Sequence, residues 1–342
     1  MSSLRLTQLT GAGGCSAKIA QADLAQILDG LAAPAAGELV VGAEMMDDAA
    51  VYRFAPDRWL VATTDFFPPP LDDPGDYGAV ATANALSDVY AMGGVPLLLL
   101  NLVGYDLAQL PGEVLRAILA GGAAVAQEAG CLIAGGHSIR TQEPVFGCAV
   151  VGEVRPEELV RNQGARVGDR IYLTKPLGTG VALNAHRQER IGEGALAAAV
   201  RSMRTLNRDA SRAMVAAGAS AATDVTGFGL LGHAQNLARA SGVRLVLEGA
   251  RLPELPQVAE LIEQGLIPGG SRRNLELARE AGQLGAGVPA GRQVLACDAQ
   301  TSGGLLVCLA ERAASAFEAA VPAAVQVGEV VAPAGEGLAQ LV

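Results

Sequence analysis

The chain has 342 residues, of which 50% are hydrophobic and 18% charged, so it can bury a large core and is not intrinsically disordered. With 35 acidic and 25 basic residues its formal net charge is −10, which disfavours nucleic acid and anionic membranes as partners. The length predicts about two domains.

The first half of the sequence predicts alternating strands and helices. Residues 1–19 are rich in glycine and predict a mobile segment without regular structure. Apolar side chains at positions 24, 27, 28 and 31 then have the spacing of an amphipathic helix. Further along, the pattern predicts strands at 39–42, 49–54, 59–64, 96–103, 131–134 and 145–151, and helices at 77–91 and 111–129.

The second half repeats this mixture of elements. A polar stretch over 155–169 predicts a boundary between an N-terminal domain of residues 20–156 and a C-terminal domain of residues 157–342. Mixed strands and helices on both sides of it predict an α/β or α+β fold. Predicted strands lie at 170–174, 243–247, 305–309 and 325–331, and predicted helices at 195–217 and 229–241.

The cysteines and the apolar runs predict a soluble, cytoplasmic protein. Cysteines at positions 15, 131, 148, 297 and 308 form no CxxC pair, which predicts free thiols in a reducing compartment. Met1–Gly14 lacks the pattern of a secretory signal. The longest apolar run, 95–103, is much shorter than the ~20 residues that span a bilayer.

Five aspartates, Asp47, Asp48, Asp65, Asp88 and Asp224, lie among apolar or small residues with few basic neighbours. A buried carboxylate is costly unless it is paired or coordinates a cation. Each one alone is explained by a helix cap or a turn, but this explanation is poor for all of them together. The group predicts Mg²⁺ bound beside nucleotide phosphates.

The glycine-rich stretch 11–18 contains Cys15 three residues before Lys18. Its spacing does not match a Walker A loop. A neighbouring ammonium favours the nucleophilic thiolate, whereas a lone cysteine is more often a small buried residue, and both interpretations stay open. Lys18 and Lys175 are the only lysines among 25 basic residues, so each is a candidate for a compact ammonium with a shifted pKa.

Three glycine-rich stretches predict turns. The stretch 135–138 follows the predicted strand 131–134, where a glycine pair lets the backbone approach a phosphate; a plain tight turn is the alternative. The stretch 269–274 predicts a loop, for which solvent exposure is favoured over anion binding. The stretch 298–304 predicts a turn into the strand at 305–309.

A set of motifs runs almost from end to end. They are Leu-Thr-Gln at 6–8, Gly-Cys-x-x-Lys at 14–18, Asp-Asp-Ala-Ala-Val-Tyr at 47–52, Thr-Thr-Asp-Phe-Phe at 63–67, Asn-Ala-Leu-Ser-Asp-Val-Tyr-Ala-Met-Gly-Gly at 84–94, Ala-Gly-Gly-His-Ser-Ile at 134–139, Leu-Thr-Lys-Pro-Leu-Gly-Thr-Gly at 173–180, Thr-Asp-Val-Thr-Gly-Phe-Gly-Leu-Leu-Gly-His at 223–233, Pro-Gly-Gly at 268–270 and Thr-Ser-Gly-Gly-Leu-Leu at 301–306. With these motifs the chain resembles the selenophosphate synthetase (selenide, water dikinase) family, within the aminoimidazole-ribotide-synthetase-like ATP-binding superfamily.

The resemblance implies a fold and an activity. The fold is the two-domain aminoimidazole-ribotide-synthetase-like one, with mixed sheets flanked by helices and a homodimer interface formed by strands of the N-terminal domain. The activity converts ATP, hydrogen selenide and water into selenophosphate, orthophosphate and AMP, with Mg²⁺ and usually K⁺, and supplies selenium for selenocysteine and selenouridine. A selenium-delivery protein is an implied partner.

The resemblance also implies roles for particular residues. Cys15 matches the catalytic cysteine, and Lys18 matches the essential lysine that contacts the ATP phosphates. Asp48, Asp88 and Asp224 match the Mg²⁺ ligands. The positions matching other nucleotide contacts are Met45, Met46, Asp47, Asp65, Asp88, Gly136, His137 and Ser138.

The chain departs from the family pattern in two places. Ser16 and Ala17 separate Cys15 from Lys18, so the second thiol found in many members is absent, and Gly11 stands where a histidine is usual. The alternative enzymes are a thiamine-phosphate kinase or a hydrogenase-maturation dehydratase of the same superfamily, neither expected to have the Cys-x-x-Lys segment. A nucleotide-binding regulatory protein with an inactive site is the alternative outside enzymes.

Overall fold

Two mixed β-sheets flanked by helices make up the computed structural model, which describes residues 4–17, 27, 37–42, 47–333 and 338–342. This confirms the predicted fold class. The first sheet has the order β1-β2-β3-β6-β4-β5 in the described residues. Its strands are β1 (Leu39–Val41), β2 (Ala50–Arg53), β3 (Trp59–Phe67), β4 (Val95–Gly104), β5 (Leu132–Ile139) and β6 (Val145–Val154).

The first sheet is antiparallel except for its last pair. The central strands β3 and β6 pair along their whole length, from Trp59 opposite Val154 to Phe67 opposite Phe146. β5 pairs with β4 in parallel and forms an edge of the sheet. All eight of its residues are exposed, so this edge lacks a cover within the described chain.

Helices α1 (Pro74–Ala91) and α2 (Gly112–Ala129) pack closely against each other beside this sheet. Asp73 caps α1, because its carboxylate accepts a hydrogen bond of 2.8 Å from the Asp76 backbone N–H. The two helices approach at Gly78, where an added Cβ would lie 1.8 Å from the carbonyl oxygen of Ile118. Glycine is therefore required at this crossing.

The second sheet has the order β12-β9-β11-β7-β10-β8 in the described residues, and only β12 and β9 pair in parallel. Its strands are β7 (Asp169–Leu173), β8 (Ala221–Asp224), β9 (Arg244–Leu247), β10 (Leu305–Ala310), β11 (Val325–Val331) and β12 (Ala339–Leu341). The accompanying helices are α3 (Thr179–Arg187), α4 (Glu193–Arg204), α5 (Arg208–Ala216), α6 (Gly229–Ser241), α7 (Val258–Glu263), α8 (Gly269–Glu280), α9 (Ala290–Cys297) and α10 (Ala314–Ala320).

Several element predictions were wrong in detail. The single helix predicted over 195–217 is divided into α4 and α5, because the Thr205 backbone is extended at φ −64° and ψ 123°. The stretch 269–274, predicted as a loop, is the first part of α8. The turn predicted at 135–138 is part of β5, which continues through both glycines, Gly135 having a φ of 130°. The predicted helix with apolar positions 24, 27, 28 and 31 lies outside the described residues except for residue 27.

Helix α1 lies between the two halves of the molecule, since it packs against β3 and β6 on one side and contacts α4, α5 and β8 on the other. Of its 18 residues, 14 are buried. Its buried polar residues, Thr82, Asn84 and Ser87, therefore face the sheet or the second domain rather than water. Among the described residues, no helix is long and apolar enough to cross a membrane.

The N-terminal segment carries two short 3-10 helices, Leu6–Gln8 and Gly14–Ala17, although no element was predicted there. Arg5 forms an ion pair with Asp72 at 2.9 Å between Nε and Oδ2. Arg187 of α3 donates a hydrogen bond of 2.9 Å to the carbonyl oxygen of Gly11. The segment thus contacts both domains.

Candidate active site

Asp48 and Asp224 meet between the two domains. Asp48 precedes β2, and Asp224 is the last residue of β8. One carboxylate oxygen from each of them and a ring nitrogen of His233 all lie within 4.8 Å of one another. Thr223 donates a hydrogen bond of 2.8 Å to Asp48 Oδ1, and Ser87 donates one of 2.6 Å to Asp224 Oδ2. Side chains of both domains therefore build this acidic cluster.

The cluster is electrostatically unfavourable without a cation. Burial raises the pKa of Asp48 well above its ordinary value of 3.8, and the carboxylates of Asp224 and Asp88 raise it further. Asp48 Oδ2 is buried and has no hydrogen-bond partner in the described part of the chain. Paired carboxylates with an unpartnered buried oxygen are the donors that a hard divalent cation such as Mg²⁺ prefers.

Asp88 lies near the C-terminal end of α1 and is held by β3, where Thr63 Oγ1 donates a 2.5 Å hydrogen bond to its Oδ2. It does not belong to the group within 4.8 Å, yet its charge acts on Asp48. His233 belongs to that group, but its Nε2 accepts a 3.1 Å hydrogen bond from the Thr226 backbone N–H. Because that lone pair is engaged, oxygen donors dominate the chemistry of the cluster.

A second chain of contacts joins Asp65 to Cys15. The Nδ2 group of Asn84 donates a 2.5 Å hydrogen bond to Asp65 Oδ2. Asn84 Oδ1 accepts hydrogen bonds from the Cys15 thiol, at 3.4 Å, and from the Ser302 backbone N–H, at 2.8 Å. Cys15 is 1% exposed, although it lies in the glycine-rich segment that was predicted to be mobile. The structure brings two predicted site residues together through Asn84.

Lys175 is also buried near this site. Its Nζ donates hydrogen bonds to the carbonyl oxygens of Thr205, at 2.6 Å, and Ser302, at 3.1 Å. Burial lowers its pKa from 10.5 to about 7, opposed by the charge of Asp224. Sequence analysis named Lys175 as a candidate for a lysine with a shifted pKa, and its burial gives it one.

Asp47 binds the segment that follows β6. Its Oδ1 accepts a 2.9 Å hydrogen bond from the Asn162 backbone N–H, and its Oδ2 lies 3.4 Å from Arg161 Nε. Burial raises the pKa of Asp47, and these hydrogen bonds and the Arg161 charge oppose the rise. Asp47 thereby ties the loop before β2 to the second domain.

Gly136, His137 and Ser138 lie on the exposed edge strand β5, paired with residues of β4. They pair with β4 in the strand ladder, and none of them belongs to the acidic cluster. An added Cβ at Gly136 would lie 2.2 Å from the carbonyl oxygen of Asn101, which explains the glycine. Three other predicted residues, Lys18, Met45 and Met46, lie outside the described residues.

The remaining four cysteines are also buried. Cys131, Cys148, Cys297 and Cys308 are all buried, and burial raises the pKa of each thiol, to about 11 at Cys131 and about 12 at Cys148 and Cys297. High pKa values keep these thiols protonated and unreactive. The interpretation of these four cysteines as structural agrees with their burial.

Comparison with known sequences identifies the family. The family model for the N-terminal domain of AIR synthase related proteins matches residues 46–154, and the model for the C-terminal domain matches residues 166–339. A selenide, water dikinase of Myxococcus xanthus is 46% identical over 334 residues, covering 96% of this chain and 95% of the relative. The chain belongs to the selenide, water dikinase family. A member from Burkholderia pseudomallei is 47% identical over 310 residues, covering 90% of this chain and 88% of the relative.

Solved structures show that this dikinase family shares its fold with other enzymes. The structure described as AaThiL complexed with AMPPCP and TMP has a TM-score of 0.68 and 19% identity, covering 100% of this chain and 96% of the other. A thiamine-monophosphate kinase from Stenotrophomonas maltophilia has a TM-score of 0.65 and 20% identity, covering 95% and 96% of the two chains. These likenesses concern the fold alone, whereas the sequence relatives distinguish the dikinase family from its structural neighbours.

Sequence reasoning assigned no role to several polar residues that surround the dikinase-family aspartates. Asn84 and Ser87 contact Asp65 and Asp224, and Thr223 contacts Asp48. Asn84, Ser87 and Asp88 have the i, i+3 and i+4 spacing of one helix face. A polar stripe within the otherwise apolar helix α1 was the signal that could have indicated them.

Proposed function

We propose that this chain transfers the γ-phosphoryl group of ATP to hydrogen selenide, giving selenophosphate, and that water then cleaves the resulting ADP to AMP and orthophosphate. The products thus account for all three phosphorus atoms of ATP. The observation that supports this most strongly is the buried acidic cluster of Asp48 and Asp224 in a chain 46% identical to a selenide, water dikinase.

The acidic cluster supports a Mg²⁺ site. Asp48, Asp88 and Asp224 would hold the ion, because they contribute hard oxygen donors and because a cation would remove the mutual repulsion that raises the pKa of Asp48. Bound Mg²⁺ neutralises phosphate charge in phosphoryl transfer. We propose K⁺ as an activator on the family resemblance only.

The residues around the cluster are proposed to bind the nucleotide, the transferred phosphoryl group and selenide. Asp65 and Asp47 are proposed to contact the nucleotide together with Met45 and Met46. Lys18 would stabilise charge on the transferred phosphoryl group. Cys15 lies at the end of the Asp65–Asn84 contact chain, so its thiol is suited to orient hydrogen selenide beside the nucleotide site by non-covalent contact, with no change of oxidation state.

We propose a homodimer formed through the uncovered part of the first sheet. Leu132 and Ile139 of β5 are 71% and 56% exposed, and such side chains on an open strand favour pairing with a second copy. Gly136, His137 and Ser138 lie on the same strand, so a nucleotide contact by them is proposed to involve the neighbouring subunit. A selenium-delivery protein is a further proposed partner.

The reaction is tested by phosphorus NMR of the reduced protein with Mg²⁺ and ATP, with and without anaerobic selenide. We expect AMP, orthophosphate and a phosphorus signal coupled to selenium, all dependent on selenide. ADP as the final nucleotide, or turnover that ignores selenide, would indicate a kinase of the neighbouring families instead. Absence of any ATP turnover would indicate a nucleotide-binding protein with an inactive site.

The thiol is tested by Cys15→Ser, with Cys131→Ser as the matched control because Cys131 is also buried, at 5% exposed, but lies in the linker before β5. We expect Cys15→Ser to lose selenide-dependent AMP formation while still binding ATP, and Cys131→Ser to retain turnover. Full turnover by Cys15→Ser would remove the thiol from the mechanism and leave the metal cluster unaffected.

A further inference from the structure

Cys15 is held in place by residues from both domains. It lies in the 3-10 helix Gly14–Ala17, and its thiol contacts Asn84 of the first domain. Its backbone N–H donates a 3.1 Å hydrogen bond to Oγ1 of Thr301, which belongs to the second domain and is 286 residues away in sequence. The hydroxyl of Thr301 therefore contacts the backbone of the residue that carries the thiol.

The loop that carries Thr301 is itself anchored to the second domain. Thr301 is 2% exposed, and its backbone N–H donates a 2.9 Å hydrogen bond to Oγ1 of Thr179, the first residue of α3. Gln300 Oε1 in turn accepts hydrogen bonds from the Thr179 hydroxyl, at 3.0 Å, and from its backbone N–H, at 3.1 Å. These bonds fix the loop to the second domain independently of Cys15.

The fit between the loop and the N-terminal segment is close. Gly14 has a φ of +60°, and an added Cβ would lie 2.4 Å from Thr301 Oγ1. The Gly14 backbone N–H donates a 3.0 Å hydrogen bond to the Pro68 carbonyl oxygen. Only a glycine immediately before Cys15 lets the segment approach the threonine hydroxyl this closely.

Asn84 connects the Cys15 thiol to the loop that carries Thr301 and Ser302. Its amide orientation is determined by its partners, since the Asp65 carboxylate needs a donor and the Ser302 N–H needs an acceptor. The same oxygen then accepts from the Cys15 thiol. Residues 301 and 302 thus hold the Cys15 backbone and the acceptor for its thiol at the same time.

We propose that Thr301 is a positioning residue for Cys15, and that its hydroxyl couples the closure of the N-terminal segment to the second domain. This rests on the proposed function, because the role of the Cys15 thiol in selenide transfer comes from it. When the segment leaves this hydroxyl, the thiol leaves Asn84 and the Asp65 side of the nucleotide site. Thr301 itself does not contact the reacting atoms.

The first measurement needs no selenide. Cys15 is 1% exposed and the other cysteines are buried with raised pKa values, so the rate of Cys15 alkylation by iodoacetamide reports how often the segment opens. Thr301→Val removes the acceptor at constant shape, and losing one hydrogen bond changes an opening equilibrium about fivefold. We expect about fivefold faster alkylation in Thr301→Val and a near-normal rate in Thr301→Ser.

The second measurement is turnover. Thr301→Val is expected to lower the kcat of selenide-dependent AMP formation by about tenfold, because a displaced thiol no longer holds hydrogen selenide in line with the γ-phosphorus, while the KM for ATP changes less than about twofold. The control is Ser211→Ala, which removes a buried 2.6 Å hydrogen bond to the Tyr90 carbonyl oxygen. This bond involves neither Thr301 nor Asn84, the two partners of Cys15. Ser211→Ala is expected to lower global stability without changing alkylation or kcat.

Gly14→Ala supplies a variant on the segment itself, because the added Cβ would lie 2.4 Å from Thr301 Oγ1. We expect it to raise alkylation as Thr301→Val does, and the double variant to be less than additive, because both remove the same contact. If Thr301→Val has the same alkylation rate and the same kcat as the wild type, the proposal is wrong. The proposal is also wrong if Thr301→Val and Ser211→Ala have the same free energy of unfolding and change the alkylation rate and kcat equally. If the wild type makes no selenophosphate, the proposed function fails, while alkylation still tests the positioning role.

Discussion

Replacing Asp48 by asparagine should stabilise the metal-free protein. The Asp48 carboxylate is buried beside Asp224, its Oδ2 has no partner in the described residues, and only Thr223 donates to its Oδ1. An inadequately compensated buried polar group costs about 1–3 kcal/mol in mutational data. Asparagine keeps the acceptor for Thr223 and removes the charge, so we expect the free energy of unfolding to rise by about 1–3 kcal/mol.

The pH dependence has a definite sign. The pKa of Asp48 in the folded state is above 3.8, so between 3.8 and the raised value the folded chain binds more protons than the unfolded chain. The free energy of unfolding therefore falls as pH rises through this range. Asp48→Asn removes this contribution, and its advantage over the wild type should be greatest at neutral pH and vanish near pH 3.8.

Mg²⁺ should reduce the stability advantage of Asp48→Asn over the wild type. A ligand at a hundredfold excess over its Kd stabilises the folded state by about 2.7 kcal/mol. If losing one carboxylate weakens binding tenfold, the gain at the same Mg²⁺ concentration falls to about 1.4 kcal/mol. The assay is urea unfolding followed by circular dichroism, in EDTA and in Mg²⁺.

Asp209→Asn is the matched control, because the Asp209 side chain is 78% exposed and pairs with Arg208 at 3.4 Å on the surface. It should change neither the metal-free stability nor the gain from Mg²⁺, since exposed ion pairs contribute little. The reasoning is refuted if Asp48→Asn lowers the stability in EDTA or gains as much from Mg²⁺ as the wild type does.

Three further predictions concern other parts of the molecule. The pKa of Lys175 is about 7 in the folded chain and 10.5 unfolded, so the free energy of unfolding should rise with pH between these values, and Lys175→Met should flatten this rise in urea titrations; an unchanged slope contradicts it. Ile139→Asp, on exposed β5, should give a folded monomer in light scattering, and a persistent dimer would exclude this interface. Asp72→Asn weakens the ion pair with Arg5 and the bonds from Thr7, so trypsin should cleave after Arg5 faster than in the wild type; equal cleavage would show that Asp72 does not hold the segment.

The elements that were predicted well are those with a strong local signal. The helix at 229–241 and the strand at 325–331 are present with the predicted bounds, as α6 and β11. The helical period of the first and the four valines of the second are local features that do not depend on distant residues. The strands β8 and β12 were missed because their sequences, Ala-Ala-Thr-Asp and Ala-Gln-Leu, are poor in the β-branched and aromatic residues that are typical of strands.

Helix boundaries that depend on distant partners were also missed. The Thr205 carbonyl oxygen, where the predicted single helix is interrupted, accepts a hydrogen bond from Lys175 Nζ. Helix α3 begins after Gly178, which has a φ of 112°, and its first residue Thr179 bonds to Gln300. These partners lie 30 and 121 residues away, so no local window contains them.

The sequence by itself determined the chemical types at the site. Aspartates among apolar neighbours predict buried carboxylates, because burying a charge is costly wherever it occurs, and a cysteine three residues before a lysine is a candidate for a reactive thiol. Only the tertiary structure decided which groups meet. Thr223 and Asp48 are 175 residues apart and Cys15 and Thr301 are 286 apart, and such pairs form because packing two sheets around α1 brings their chain ends to one place.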